Sequence, residues 1–165
     1  MTPTGKRLAL LLLILATVGC DHVTKRFAVE VLSTSPSRSF MNDAIRLEYA
    51  ENIGGFLGLG AEWPALARTG VFTIGNALLL VTLVVAAVRA RWSGPSVVGI
   101  TLVVAGGVSN LVDRLVRGSV VDFMSVGVGP WRTGIFNVAD MAVMLGAALV
   151  LWGALRTVSR DETPA

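Results

Sequence analysis

Two long stretches without a charged residue limit the folds available to this chain more than any other feature of the sequence. Residues 71–88 and 93–112 are uncharged and predominantly apolar. A helix needs about 20 such residues to cross the hydrocarbon core of a bilayer, and both stretches approach that length. The sequence therefore predicts two membrane-spanning helices here.

Two further apolar stretches carry charged residues at one end. The first covers residues 8–20 and then reaches Asp21 and Lys25, whereas the last carries Asp140 near its start and is uncharged over 141–155. Both are long enough to span a membrane with one polar end. We therefore expect an all-α membrane protein, one integral domain of residues 1–165, with four transmembrane helices at about 8–28, 71–88, 93–113 and 135–155.

The composition agrees with a membrane protein and argues against other classes. Of the 165 residues, 53% are hydrophobic and only 15% are charged. The net charge of +3 comes from scattered lysines and arginines rather than a basic patch, so no nucleic-acid partner is expected. The single cysteine, Cys20, excludes an intramolecular disulfide, and no His/Cys cluster could hold a metal. We expect no cofactor, and a structural or interfacial role for the lone His22.

The distribution of positive charge predicts the orientation of the chain. Lysine or arginine flanks each of the four apolar stretches at one end, at Lys6, Arg7, Arg89, Arg91, Arg156 and Arg160. Because cytoplasmic segments carry an excess of positive charge, both termini and the loop around Arg91 are expected in the cytoplasm. Segments 29–70 and 114–134 would then be extracytoplasmic, and the polar ends of the helices would meet on that side.

The long outer segment contains three recognisable patterns. Ile45, Leu47 and Tyr49 alternate with less apolar residues, which predicts a strand and a small sheet. Residues 52–60 follow with repeated glycines, which permit a close approach of the backbone to another surface or simply form a flexible connector. Residues 61–68, with Trp63, predict a short interfacial helix.

Charged residues near the first span allow two interpretations. Asp21 and Lys25 lie four residues apart on one helical face, and we expect a structural ion pair there. Residues 17–20, ending in Cys20, also resemble the end of a lipoprotein signal peptide. That second interpretation would make the chain a non-catalytic lipoprotein or assembly factor, and retention of residues 1–19 in the mature protein would argue against it.

Polar residues also mark the ends of the third and fourth spans. Asn110 and Arg114 lie four residues apart and present donors to one side of a helix end, and Asp113 could pair with Arg117 at the same spacing. In the fourth span, Asn137 lies three residues before Asp140 and faces the same way. The amide can therefore orient or bind a neighbouring carboxyl group.

Two aspartates, Asp122 and Asp140, flank the start of the last span. A carboxylate at membrane depth costs roughly 2.5–3.5 kcal/mol even on insertion scales, so it predicts a function. Two neighbouring carboxyls can share a proton and supply both a base and an acid for peptide hydrolysis. Acids inside a membrane also mark proton or ion pathways, which is the alternative function.

Four sequence motifs, taken together, resemble the lipoprotein signal peptidases, or signal peptidase II family. These motifs are D-x-x-x-K at 21–25, "ENIGGFLGLG" at 51–60, "GGVSNLVDRLVRGSVVDF" at 106–123 and "FNVAD" at 136–140. The resemblance covers nearly the whole chain. One departure is Ser109, where a glycine is usual before the asparagine of the third motif.

This resemblance implies a four-helix aspartyl protease of the bacterial inner membrane. Such an enzyme removes the signal peptide from a prolipoprotein whose cysteine carries diacylglycerol, with its active site near the extracytoplasmic face. The resemblance implies that Asp122 and Asp140 are the catalytic pair. It also implies that five further residues contact or frame the substrate: Asn52, Gly54, Asn110, Arg114 and Asn137. The expected partners are diacylglyceryl-prolipoproteins and membrane lipid, and the expected oligomeric state is a monomer.

Overall fold

Four long helices dominate the part of the chain that the structure describes. The computed structural model describes residues 2–89 and 94–161, with side chains up to Arg156. The helices, named α1 to α4 in chain order, span Pro3–Leu32, Ala65–Arg89, Pro95–Arg117 and Val138–Asp161. Each contains a stretch that is apolar and long enough to cross a membrane, so the four predicted spans correspond to four helices of the required length and composition. The loop around Arg91, predicted to be cytoplasmic, lies outside the described residues.

Local sequence signals set the ends of α1 and α3. Thr2 precedes α1 and its hydroxyl accepts a hydrogen bond from the Gly5 N–H at 3.1 Å, as expected of an N-cap. Both helices begin with a proline, which fits the first helical turn because the missing N–H would be unpaired there. Gly118 ends α3 in the left-handed region, at φ 78°, where a residue without a Cβ is favoured.

The short helix predicted for residues 61–68 does not exist as a separate element. Helix begins only at Ala65, after Pro64, and continues through a π-helical stretch, Thr69–Gly75, into the rest of α2. The wider π turn keeps the chain helical where the two glycines of this stretch would otherwise favour a break. The residues before Ala65 form turns, which Arg68 holds by donating to the carbonyls of Ala61 and Trp63.

Helix α3 is the central helix of the bundle. In an apolar stretch of 18 residues of α3, 44% of the residues are buried, compared with 6% in α2 and 11% in α1. Its closest partner is α4, because glycines face each other where the two helices meet. A Cβ built on Gly146 would lie 2.5 Å from the Gly99 carbonyl oxygen, so only glycine allows this approach. Gly106 meets the backbone of Ala139 in the same way.

A four-stranded antiparallel sheet lies at one end of the bundle. Its strands are β1 (Arg38–Phe40), β2 (Ile45–Asn52), β3 (Val120–Val128) and β4 (Trp131–Arg132), in that order across the sheet. The predicted strand is β2, and the small sheet expected around it is confirmed.

Strand β3 has no counterpart among the sequence predictions. Its first four residues are all buried, so the alternation of apolar and polar residues that identifies a half-exposed strand is missing. The strand pairs with β2 in a register that places Ala50 opposite Asp122 and Asn52 opposite Val120. This pairing brings two distant parts of the chain together beside the ends of α3 and α4.

The last turns of α1 anchor the sheet to the bundle. Ala28 and Leu32 are buried and pack in one apolar cluster with Val121 and Phe123 of β3. A second connection is made by Phe136, which exchanges backbone hydrogen bonds with Met124 at 2.8 and 3.0 Å. These contacts fix where β3 and the start of α4 lie relative to each other.

The contact between α3 and α4 leads to a stability prediction. Gly146→Ala should lower the midpoint of thermal unfolding in detergent, because its Cβ would meet the Gly99 carbonyl oxygen and overpacking costs about 1–3 kcal/mol. The matched control is Gly19→Ala in α1, where a Cβ meets no atom within 4 Å. An unchanged midpoint for Gly146→Ala would show that the two helices can separate without loss.

Candidate active site

Asp122 and Asp140 lie buried at the same end of the bundle, on different elements. Asp122 is in β3 with 2% of its surface exposed, and Asp140 is in the first turn of α4 with 7% exposed. Asn137 contacts both of them. Its side-chain amide donates to Asp122 Oδ1 at 2.7 Å, and its backbone N–H donates to Asp140 Oδ2 at 3.3 Å.

The start of α4 explains the position of Asp140. Asn137 is the residue before the helix, and its side-chain oxygen accepts a hydrogen bond from the Asp140 N–H at 2.9 Å. Because the Asp140 carboxylate in turn accepts from the Asn137 N–H, the two residues form a reciprocal capping box. The spacing of three residues seen in the sequence therefore has a structural cause as well as a chemical use.

Asparagine side chains hold the remaining carboxylate oxygens. Asn52 Nδ2 donates to Asp122 Oδ2 at 2.8 Å, and Asn110 Nδ2 donates to Asp140 Oδ1 at 2.9 Å. Each carboxyl group thus accepts hydrogen bonds at both oxygens. Burial raises the pKa of Asp122 to about 6, and the nearby Asp140 adds to this, whereas the amides of Asn52 and Asn137 act in the opposite direction.

The glycine-rich segment folds onto Asn52 and is held there. Asn52 accepts a hydrogen bond from the Gly54 N–H at 2.9 Å and donates to the Gly55 carbonyl at 2.8 Å. A Cβ on Gly54 would meet the backbone of Ala61 at 3.0 Å and that of Gly58 at 3.1 Å, so a side chain does not fit at this position. The segment is therefore an ordered turn beside Asp122 rather than a connector without contacts.

Arg114 links the end of α3 to this turn. Its Nη2 donates to the Gly54 carbonyl at 2.5 Å, and Nη1 donates to the Asn110 carbonyl at 3.4 Å. Among the described residues, its buried Nε has no hydrogen-bond partner. Arg114 also lines the cavity at the site, which places its positive charge on the wall beside the two aspartates.

A buried cluster of charges lies behind Asn110. Lys25 Nζ is 2.6 Å from Asp21 Oδ2, 2.7 Å from Asp113 Oδ2 and 2.8 Å from Asn110 Oδ1. The structure therefore brings Asp21 and Lys25 together as the sequence predicts. Asp113 pairs with Lys25 rather than with Arg117, the alternative that the spacing also allowed, because the buried ammonium attracts Asp113 toward α1.

Two residues of this cluster carry contacts that the sequence did not indicate. Ser109, noted only as a departure from a family pattern, donates to Asp21 Oδ2 at 2.7 Å. His22 lies 3.4 Å from the Ser109 hydroxyl and 3.9 Å from Asp113 Oδ1. Ser109 lies inside an apolar helix, four residues before Asp113, and no spacing in the sequence indicates its contact with Asp21 on another helix.

A cavity of about 610 Å³ opens beside the two aspartates. One part of its wall is polar and includes Asn52, Asn110, Arg114, Asp122 and Asp140. The other part is apolar and consists of α2 and α4 side chains such as Val71, Phe72, Leu79, Val143 and Met144. A second cavity of about 420 Å³, between α1, α2 and α3, is almost wholly apolar and contains none of these polar residues. Of these two cavities, the first places acid and base groups beside an apolar wall.

Among the described residues, no group of three or more His, Cys, Asp or Glu side chains could hold a metal ion. The two aspartates accept hydrogen bonds from amides, which is an arrangement for holding carboxyl groups in place. The site is therefore suited to proton transfer by the carboxyl pair itself.

Comparison with known proteins agrees with this architecture. The family model of signal peptidase (SPase) II matches residues 13–156. Lipoprotein signal peptidase of Chlorobium phaeobacteroides is 32% identical over 139 residues, covering 79% of this chain and 80% of that protein. The lipoprotein signal peptidase of Staphylococcus haemolyticus is 29% identical over 154 residues, covering 92% and 94% respectively.

Two solved structures, each described as a bacterial membrane enzyme, share the fold. One has a TM-score of 0.82 at 23% identity, covering 95% of this chain and 93% of its own. The other has a TM-score of 0.75 at 24% identity, covering 89% and 92%. Since the family model spans nearly all of the sequence and the four helices are long and apolar enough to cross a membrane, the chain belongs to the signal peptidase II family.

Proposed function

We propose that this chain is an aspartic endopeptidase that removes the signal peptide from diacylglyceryl-modified prolipoproteins, cleaving before the lipid-modified cysteine. Asp122 and Asp140 are the proposed catalytic pair. The observation that carries the proposal is that these two buried carboxyl groups share Asn137 as a partner and line one wall of a cavity whose other wall is apolar. Membership of the signal peptidase II family supports the same reaction class.

The proposed chemistry uses one proton shared by the two carboxyl groups. The ionised carboxylate takes a proton from a water molecule, whose oxygen forms a bond to the scissile carbonyl carbon. The protonated carboxyl donates to the carbonyl oxygen, and a proton then passes to the amine nitrogen as the C–N bond breaks. The raised pKa of Asp122, about 6, supports the pair retaining a proton nearer neutral pH than an exposed aspartate would.

Five residues have proposed roles around this pair. The amides of Asn52, Asn110 and Asn137 orient the two carboxyl groups and frame the scissile bond, because each amide already donates to a carboxylate. Gly54 allows the glycine-rich turn to approach, and Arg114 holds that turn and presents its positive charge to the substrate from the cavity wall. Asp21 and Lys25 form a structural pair behind them.

The apolar wall of the cavity is the proposed site for the lipid. Each methylene transferred from water to an apolar environment contributes about 0.8 kcal/mol. Binding energy from the acyl chains can therefore position the reacting bond at the carboxyl pair. The glycine-rich turn limits the access of water to the same place.

The alternative, a proton or ion pathway, has weaker support. A pathway needs ionisable groups along the depth of the membrane. Among the described residues, the buried charged side chains are Asp21, Lys25, Asp113, Asp122 and Asp140, and all belong to the site or to the cluster directly behind it. This distribution favours a reaction at one face.

The proposed substrate is tested with purified protein. A prolipoprotein peptide whose cysteine carries diacylglycerol should be cleaved before that cysteine. The same peptide without lipid should remain intact, because only the acyl chains can pack against the apolar wall of the cavity. A metal chelator should leave the rate unchanged. Equal rates on both peptides would contradict lipid recognition, and loss of activity in chelator would contradict the aspartic mechanism.

The catalytic pair is tested by replacing each carboxyl group with an amide of the same shape. Asp122→Asn and Asp140→Asn should each lower the cleavage rate by about 10²–10⁴-fold, because the amide cannot act as acid or base. Membrane insertion should be unaffected. Asp43→Asn, which changes a carboxylate in the turn between β1 and β2, is the control and should retain activity. Substantial activity in Asp140→Asn would remove it from the catalytic pair.

The proposed location is the inner membrane of a bacterium, with both termini in the cytoplasm and the site near the extracytoplasmic face. Reporter enzymes fused after Ser35 and after Gly127 should be active outside the cytoplasm, and a fusion after Arg160 should report the cytoplasm, because of the positive charge flanking the helices there. A fusion after Arg91 should also report the cytoplasm. An external signal from the last two fusions would reverse the proposed orientation.

A further inference from the structure

Ser109 is a buried polar residue that the proposed mechanism does not use. It lies in α3 with 0% of its surface exposed, directly before Asn110. Its hydroxyl donates a hydrogen bond of 2.7 Å to Asp21 Oδ2 on α1. A buried hydroxyl with a charged acceptor contributes more than a neutral hydrogen bond, and its loss leaves part of that acceptor unpaired.

The Asp21 carboxylate connects three helices. Its Oδ2 receives both the Ser109 hydroxyl and the Lys25 ammonium, the latter at 2.6 Å. Its Oδ1 is thereby turned toward α4, where it accepts a hydrogen bond of 2.8 Å from the Ala139 N–H. The first N–H groups of a helix have no partner within the helix, so Asp21 satisfies one of them from another helix.

The Ala139 N–H belongs to the residue directly before Asp140. We propose that Ser109 is a positioning residue for the peptidase reaction: it fixes the Asp21 carboxylate that binds the Ala139 N–H, and so sets where α4 presents Asp140. This inference rests on the proposed function, in which Asp140 is catalytic. Ser109 acts through Asp21 and does not touch the substrate.

Lys25 alone does not fix Asp21 in this way. Its ammonium also lies within 2.8 Å of Asp113 and Asn110, so it is shared among three acceptors on two helices. An ammonium group is a point charge with rotatable donors, whereas the Ser109 hydroxyl has a single proton to donate. The Ser109 hydroxyl is the second donor to Asp21 Oδ2, and it fixes the orientation of this carboxylate.

His22 offers a way to separate the two contacts of Ser109. Its Nε2 lies 3.4 Å from the Ser109 oxygen, on a side chain that is 35% exposed. Since the hydroxyl proton is given to Asp21, the oxygen can only accept from His22. Replacing His22 therefore removes a neighbour of Ser109 but leaves its bond to Asp21 in place.

The test compares Ser109→Ala with two controls on the diacylglyceryl peptide. Ser109→Ala should lower kcat about five- to tenfold with KM changed less than about twofold, since Asp140 is misplaced while the apolar wall is intact. Thr101→Val removes another buried hydroxyl of α3, one that donates only to the Val97 carbonyl, and should keep kcat. His22→Ala should keep kcat as well.

Three results would overturn the inference. A wild-type kcat for Ser109→Ala, whatever its unfolding midpoint, would leave the serine a merely structural role. A fall of kcat in Thr101→Val equal to that in Ser109→Ala would assign the effect to the loss of any buried hydroxyl, and an equal fall in His22→Ala would assign it to the histidine. If Ser109→Ala does not accumulate in the membrane, Ser109→Gly is measured in the same way, with the same expected fall.

The Asp140→Asn variant separates this inference from the proposed function. Activity retained in Asp140→Asn would contradict the proposed function itself. An enzyme that Asp140→Asn inactivates but Ser109→Ala leaves at wild-type kcat would contradict only the role of Ser109.

Discussion

The buried ammonium of Lys25 is the contact on which the rest of the site depends. Its side chain is 3% exposed, and two carboxylates and an amide oxygen surround the ammonium within 2.8 Å, as a buried charge requires. The bond to Asn110 Oδ1 settles which way the Asn110 amide faces, so its Nδ2 is directed at Asp140. The pairing of the Lys25 charge between α1 and α3 thus determines which group of Asn110 donates to Asp140 on α4.

A second constraint acts through the start of α4. Asn137 caps the helix, exchanges hydrogen bonds with Asp140 and donates to Asp122, so a single side chain joins helix, strand and both carboxyl groups. The N-terminus of a helix also favours negative charge, which offsets part of the cost of burying a carboxylate there. The arrangement keeps two acids close together without leaving their oxygens unpaired, as a shared proton requires.

Polar and apolar requirements meet in one cavity because of how the helices pack. Glycines bring α3 and α4 into close contact, while α2 remains mostly exposed and forms the opposite wall with Val71, Phe72 and Leu79. A substrate with both a peptide bond and lipid chains needs both surfaces at once. The proposed peptidase function follows from this combination more than from either wall alone.

The four long apolar helices, strand β2 and the residues of the candidate site could be predicted from the amino-acid sequence and the family it resembles. Long uncharged stretches have few alternatives to a membrane helix, and polar residues at the ends of such stretches stand out because their burial is costly. Local spacing also predicted the pair of Asp21 with Lys25 and the common face of Asn137 and Asp140.

How these residues contact one another could not be predicted before the chain was seen folded. Strand β3, the pairing of Asp113 with Lys25 and the bond from Ser109 to Asp21 all depend on contacts between segments far apart in sequence. The short helix expected at 61–68 is instead the beginning of α2. The prediction missed this because the local sequence pattern does not show that the helix continues through Gly70 and Gly75. Periodicity and spacing describe one segment at a time. The partners of a buried charge, in contrast, can lie on any helix that packs around it.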